Sequence, residues 1–194
     1  MALGMILLPL LMALAAFAIP SNRARPWTLP AAGATHLAMT VLALARPEEA
    51  AEGTWLALDA PGRLVLLVVS ALFLFCSFYC VGYLRHRQER SNRVFVSCVL
   101  VFLGAMSLVA WSRHLGLMWV AIEATTLSTA PLIYFNRSKR SIEATWKYLL
   151  VGSVGIALAL LGTFFLAYSA MPPGLAPSLD ELEIARIAPY LSKP

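Results

Sequence analysis

An all-α integral membrane protein with six transmembrane helices is the fold class that this sequence predicts. Charged residues make up 13% of the 194 positions and hydrophobic ones 60%, whereas a soluble domain carries about 25% charged residues. The apolar residues fall into runs of about 20, the length that crosses about 30 Å of hydrocarbon. The basic residues sit in short loops between those runs. That placement is a topology signal, and it argues against nucleic acid as the partner of the +5 net charge. The expected surroundings are the lipid bilayer, and the spans leave no room for a soluble catalytic domain.

The approximate spans are 1–19, 27–45, 64–84, 94–112, 115–135 and 146–168, within a transmembrane domain over 1–169. Met1 to Ile19 has no basic residue before it, while Arg23 and Arg25 follow. A secretory leader carries its positive charge first. The run therefore reads as a retained span, although Ala16-Phe-Ala18 resembles a cleavage site. Trp27 to Ala45 is the weakest span and holds Gly33, Thr35, His36 and Thr40. The loop after it is acidic, with Glu48, Glu49, Glu52 and Asp59, and Trp55 fits an interfacial anchor.

The third span leads into a basic loop from Arg85 to Arg93. Only Arg113 and His114 separate the fourth and fifth spans, so these two form a tight helical hairpin. The sixth carries Gly155, Ala159 and Thr163 at a four-residue repeat, a small-residue stripe suited to helix packing. Residues 170–194 form an extracytoplasmic tail. Ser178 followed by Glu181 is a capping-box pattern, which predicts a short amphipathic helix from Leu179 to about Ile187.

Charge gives the orientation. The loops after spans one, three and five carry Arg23, Arg25, Arg85, Arg87, Arg90, Arg93, Arg137, Lys139, Arg140 and Lys147. That is ten of the fifteen basic residues. The positive-inside rule puts these loops in the cytoplasm and both termini outside.

The residue that stands out is Glu123, near the middle of the fifth span. A carboxylate at that depth costs about 2.5 kcal/mol or more, and such residues face a bundle interior, a partner charge or a proton path. The bland alternative is a protonated glutamate that only glues helices together. On a helix, Gly116, Trp119, Thr126, Leu127 and Ala130 share its face, and Thr126 offers a hydroxyl one turn away. His36 reads either as a proton-relay member or as a neutral ring bonded to a neighbouring helix. Lys147 reads either as a partner of Glu143 at i,i+4 or as the cytoplasmic end of a charged path to Glu123. Cys76, Cys80 and Cys98 all lie inside apolar runs and read as packing residues. Neither a metal site nor a cofactor site is expected in this chain.

The stretches MWVAIEATTLSTAPLIYF and IEATWKYLLVGSVGIALALLGTFFLAY resemble the antiporter-like membrane subunits of respiratory complex I and its membrane-hydrogenase relatives. The likeness is greatest to hydrogenase-4 component F and the formate hydrogenlyase membrane arm. WLALDAPGRLVLLVVSALFLF fits the same family. The resemblance implies that this is the N-terminal part of such a subunit, in a prokaryotic inner (cytoplasmic) membrane. It implies that Glu123 is the proton-translocating glutamate of the fifth helix. Its lysine partner would lie on a broken seventh helix, before which this chain stops.

Two functions follow as expectations. One is a proton (ion)-translocating subunit, or half-subunit, of a redox-driven complex. Glu123 would carry the proton, Lys147 and His36 would shape the field, and Thr126 would hold a water. Other membrane subunits would be partners, among them a chain supplying the second half. Iron–sulfur, NiFe or flavin centres, and any quinone, would belong to those partners. The other is a structural membrane subunit that positions neighbouring chains without conducting ions. No independent catalytic site is apparent.

Overall fold

A computed structural model describes residues 1–45, 55–87, 89–169, 179, 180 and 184. The described chain is helical: α1 (Ala2–Ala18), α2 (Thr28–Ala45), α3 (Ala60–Arg85), α4 (Arg93–Trp111), α5 (Leu115–Ile133) and α6 (Lys139–Ser169). Single 3-10 turns at Arg25–Trp27 and Tyr134–Asn136 precede α2 and follow α5. Among the described residues the β-pairing is confined to isolated bridges, Leu56 with Ser112 and His114 with Asp180.

Local chemistry sets the helix ends. Asp59 caps α3 by accepting a hydrogen bond from Gly62 N at 2.7 Å, which starts the helix before its apolar run does. In front of α6, Ser138 and Ser141 exchange side-chain-to-backbone bonds of 2.8 and 3.0 Å. This reciprocal cap launches the helix at Lys139, earlier than the expected 146. Pro131 lies near the end of α5 and supplies no backbone N–H. The chain then tightens into the 3-10 turn and reverses at Arg137, whose φ is +49°.

Five helices, α2 to α6, are long and apolar enough to cross a membrane. The first, α1, is apolar but has 17 residues, about 25 Å at 1.5 Å per residue. The chain is a multi-pass membrane protein.

Helices α1 to α4 pack together. Ala13, Ala16, Leu29, Ala32, Phe73, Leu84, Val96, Leu100 and Leu103 form one buried cluster, drawn from all four. Met5, Ala43, Leu66 and Trp111 form a second. The α1–α4 contact is the most extensive and is not between sequence neighbours. Gly104 allows it, because a Cβ there would lie 3.1 Å from Ile6 O.

Beyond this group, α5 packs on α4, and α6 packs on α5. Most of α6 is uncovered, and Ala167 is its only buried residue. The expected small-residue stripe does not serve the α5 contact. A Cβ at Gly155 would meet nothing within 4 Å, whereas one at Gly152 would meet the Thr126 methyl at 3.1 Å. Side-chain size alone did not tell which face of the helix the neighbour takes.

Hydrogen bonds join the loops in two separate groups. Arg25 reaches Asn92, Arg90 donates to Phe135 O at 3.0 Å, and Asn92 donates to Asn22 O at 2.8 Å. These tie together the loops after α1, α3 and α5. At the opposite helix ends, Arg113 N donates to Trp55 O at 2.8 Å, and Leu115 N donates to Leu179 O at 3.0 Å. His114 caps α5 through Leu117 N and stacks on Trp55 at 4.8 Å. Of the predicted amphipathic helix of the tail only Leu179, Asp180 and Ile184 are described, and the acidic residues Glu48, Glu49 and Glu52 lie outside the described residues.

Candidate functional site

Three contacts set the register of α5 against α6. Trp119 Nε1 donates to Ile156 O at 2.9 Å. The Thr126 methyl group faces Gly152. Thr129 Oγ1 and Tyr148 Oη lie 2.7 Å apart. Trp119 and Thr126 flank Glu123 at i−4 and i+3, so all three lie on one helical face. Glu123 therefore leaves α5 on the side of the α5–α6 seam. Its Oε2 is buried and has no hydrogen-bond partner among the described residues. A polar atom in that state carries a desolvation cost that a bond or an opposite charge removes. The Thr126 hydroxyl does not supply it, since Thr126 Oγ1 is directed to Ile122 O at 3.4 Å.

Lys147 is not brought to Glu123. It is exposed and pairs with Glu143 one turn earlier on α6, with Nζ and Oε1 2.5 Å apart. By the register above, Lys147 stands level with the turn around Ala130, about seven residues or about 10 Å along the axis from Glu123. Of the two readings of Lys147, the geometry contains the local ion pair.

His36 belongs to a different place. It is fully buried and bridges α2 to α3 and α4. Nδ1 lies 2.9 Å from Ser70 Oγ, and Nε2 lies 2.7 Å from Ser107 Oγ. Ser70 Oγ also reaches Leu66 O at 2.6 Å, and Ser107 Oγ reaches Leu103 O at 2.8 Å. Thr40 Oγ1 completes the group, 2.8 Å from Ser70 Oγ. Each hydroxyl has one proton. If both serines donate to their own helix carbonyls, both ring nitrogens must donate. In a neutral ring, one serine turns its proton to the histidine instead. His36 is thus bonded to neighbouring helices, and among the described residues no hydrogen bond links it to α5 or α6.

The sequence offered no sign of Ser70 and Ser107 as partners, because small hydroxyls are ordinary inside spans. It also misjudged Arg25, which reads as a loop charge but is 1% exposed. Its Nε donates to Ala16 O and Ile19 O at 3.0 and 3.1 Å, and its Nη1 donates to Asn22 Oδ1 at 2.8 Å and to Asn92 Oδ1. The signal was present: a helix C-terminus attracts a cation, and Arg25 follows α1 at a reach that folds back onto it.

Comparison with known proteins bears on α5 and α6. Residues 112–181 match the family described as NADH:quinone oxidoreductase/Mrp antiporter, TM. The hydrogenase-4 component F homolog of Methylacidiphilum infernorum is 36% identical over 126 residues, which is 62% of this chain and 26% of that protein. The NADH-quinone oxidoreductase subunit N 1 of Opitutus terrae is 33% identical over 108 residues, 55% of this chain and 21% of that protein. The Na(+)/H(+) antiporter subunit A1 of Staphylococcus haemolyticus is 34% identical over 126 residues, 64% of this chain and 15% of that protein. The chain thus spans about a quarter or less of the length of these curated relatives. The resemblance read from the residues of α5 and α6 holds: over these helices the chain is similar to antiporter-like membrane subunits.

Proposed function

We propose, from this similarity to antiporter-like membrane subunits, that the chain is the proton (ion)-translocating subunit, or part of one, of a redox-driven membrane complex. The type is that of NADH:quinone oxidoreductase or membrane hydrogenase. The observation that carries the reading is the buried Oε2 of Glu123, without a hydrogen-bond partner among the described residues, in the segment that matches the family. Such an oxygen gains from either a proton or a nearby cation. A cation brought close favours the carboxylate, and its withdrawal favours proton uptake. A redox-driven movement of charge in a neighbouring subunit would therefore load and unload Glu123. Thr126 is placed to hold a water once its weak bond to Ile122 O is given up. Lys147 sets the field at the basic end of the seam, and His36 acts on it from the neighbouring helix group. The redox centres and any quinone belong to partner subunits.

The same proposal makes α1 the sixth span. The hydrogen-bonded grouping of the loops after α1, α3 and α5 supports this, because it needs α1 to run alongside α4. By the positive-inside rule those loops face the cytoplasm of a prokaryotic inner membrane, with both termini outside.

One observation favours a second reading. The uncovered apolar face of α6 suits a subunit that packs and positions its neighbours without conducting ions. Glu123→Gln separates the two. The test is redox-driven acidification in vesicles containing the assembled complex. Loss of acidification with normal assembly supports translocation; unchanged acidification leaves the packing role.

A further inference from the structure

At the basic end of the bundle there is a cleft of about 790 Å³. It lies where the end of α1, the start of α4 and the end of α5 meet. Three arginines, Arg90, Arg93 and Arg137, and one acid, Glu89, line it. Phe17, Phe95 and Phe135 line it as well. We propose that this cleft is a binding site for an anionic phospholipid, with the phosphate held among the arginines and the acyl chains lying along the phenylalanines.

Each arginine is held in a way that suits this. Arg90 Nη1 donates to Phe135 O at 3.0 Å, which fixes its guanidinium at the rim. Arg93 lies over the Phe17 ring at 5.2 Å, and its buried Nε has no acceptor among the described residues. Arg137 occupies a left-handed backbone position, where glycine or asparagine is the usual choice. That turn points the chain back into α6 and brings a third arginine to the cleft lining. Guanidinium forks match phosphate oxygens in pairs. One carboxylate does not balance three such groups.

The apolar lining selects an amphiphile over a free anion. The cleft sits at helix ends, the depth of the headgroups, and its lining joins arginines, which suit a phosphate, to phenylalanines, which suit acyl chains. Basic pockets between transmembrane helices on the cytoplasmic face, where anionic lipids are concentrated, have this character.

The test is lipid retention. The full chain is purified from nanodiscs of phosphatidylcholine with phosphatidylglycerol, and its bound lipid is counted by native mass spectrometry. Phosphatidylglycerol is expected to be retained over phosphatidylcholine. Arg137→Gln should cut that preference about fivefold, and Arg93→Gln with Arg137→Gln about 25-fold. Arg137 is at the surface, so its variant reports even if the double variant folds poorly. Lys139→Gln, a charge loss outside the cleft, should change retention little. Three results overturn the proposal: equal retention by Arg137→Gln and the wild-type chain, an equal loss in Lys139→Gln, or displacement of the lipid by inorganic phosphate. The last would mean a free-anion site.

Discussion

Trp119 on α5 and Ile156 on α6 are joined by an indole N–H to carbonyl bond of 2.9 Å, four residues from Glu123. This bond fixes the rotation of α5. A helix turned by one residue would swing Glu123 by about 100°, away from the seam. The position of the one buried carboxylate oxygen without a partner among the described residues therefore depends on a tryptophan that is itself uncharged.

Glu123→Gln keeps the shape of the side chain and removes its charge. Stability should stay within about 0.5 kcal/mol, because no bond to Glu123 Oε2 is lost. Acidification by the assembled complex should fall to background. Parallel melting curves and vesicle assays check both halves. A variant that pumps at the normal rate ends the case for Glu123 as carrier.

Lys147→Ala removes an exposed i,i+4 pair with Glu143. Such pairs contribute about 0.3–0.5 kcal/mol, so the melting temperature should barely move. Ion translocation is then a clean readout: a large loss of activity in a chain of unchanged stability would assign Lys147 to the path, and no loss would leave it a surface pair.

His36→Ala removes both bridges from α2, to Ser70 and to Ser107, and opens a cavity. The expected cost is about 2 kcal/mol or more. Ser107→Ala should cost about 0.6 kcal/mol, since interhelical bonds in membranes are individually modest. Unfolding in mixed micelles gives both numbers. If His36→Ala melts like the parent chain, the ring does not hold the three helices together.

Gly104→Val drives a branched side chain against Ile6 O and Leu10, where even a Cβ would lie 3.1–3.2 Å away. A loss of about 1–3 kcal/mol is expected, with α1 more open to protease than α5. Equal protection of the two helices would show that the α1–α4 approach is not tight.

Hydropathy located the five helices that are long and apolar enough to cross a membrane, because it measures what the bilayer demands. It did not locate the helix ends, which depend on single hydrogen bonds. Asp59 extends α3 by a turn, and the Ser138–Ser141 exchange extends α6 well past its apolar part. The α4–α5 hairpin was legible because only Arg113 and His114 interrupt the apolar run. Glu123 was legible because charge is rare at that depth. Its neighbours were only partly so: the helical period put Trp119 and Thr126 on its face, but Lys147 falls out of reach once the antiparallel register is known. Register between two helices is a long-range property, and a single helix does not encode it. The burial of Arg25 escaped for the same reason, since Asn92 lies 67 positions away.

Arg25 also bears on the order in which the bundle closes. Its acceptors come from the end of α1, from Asn22 and from the residue that precedes α4. A guanidinium does not lose its proton, so until Asn92 arrives it needs water. During synthesis α1 emerges before α4, yet its C-terminal end stays hydrated until α4 is in place. The earlier helix is therefore latched by the later one, and a chain interrupted between them would leave α1 unfastened.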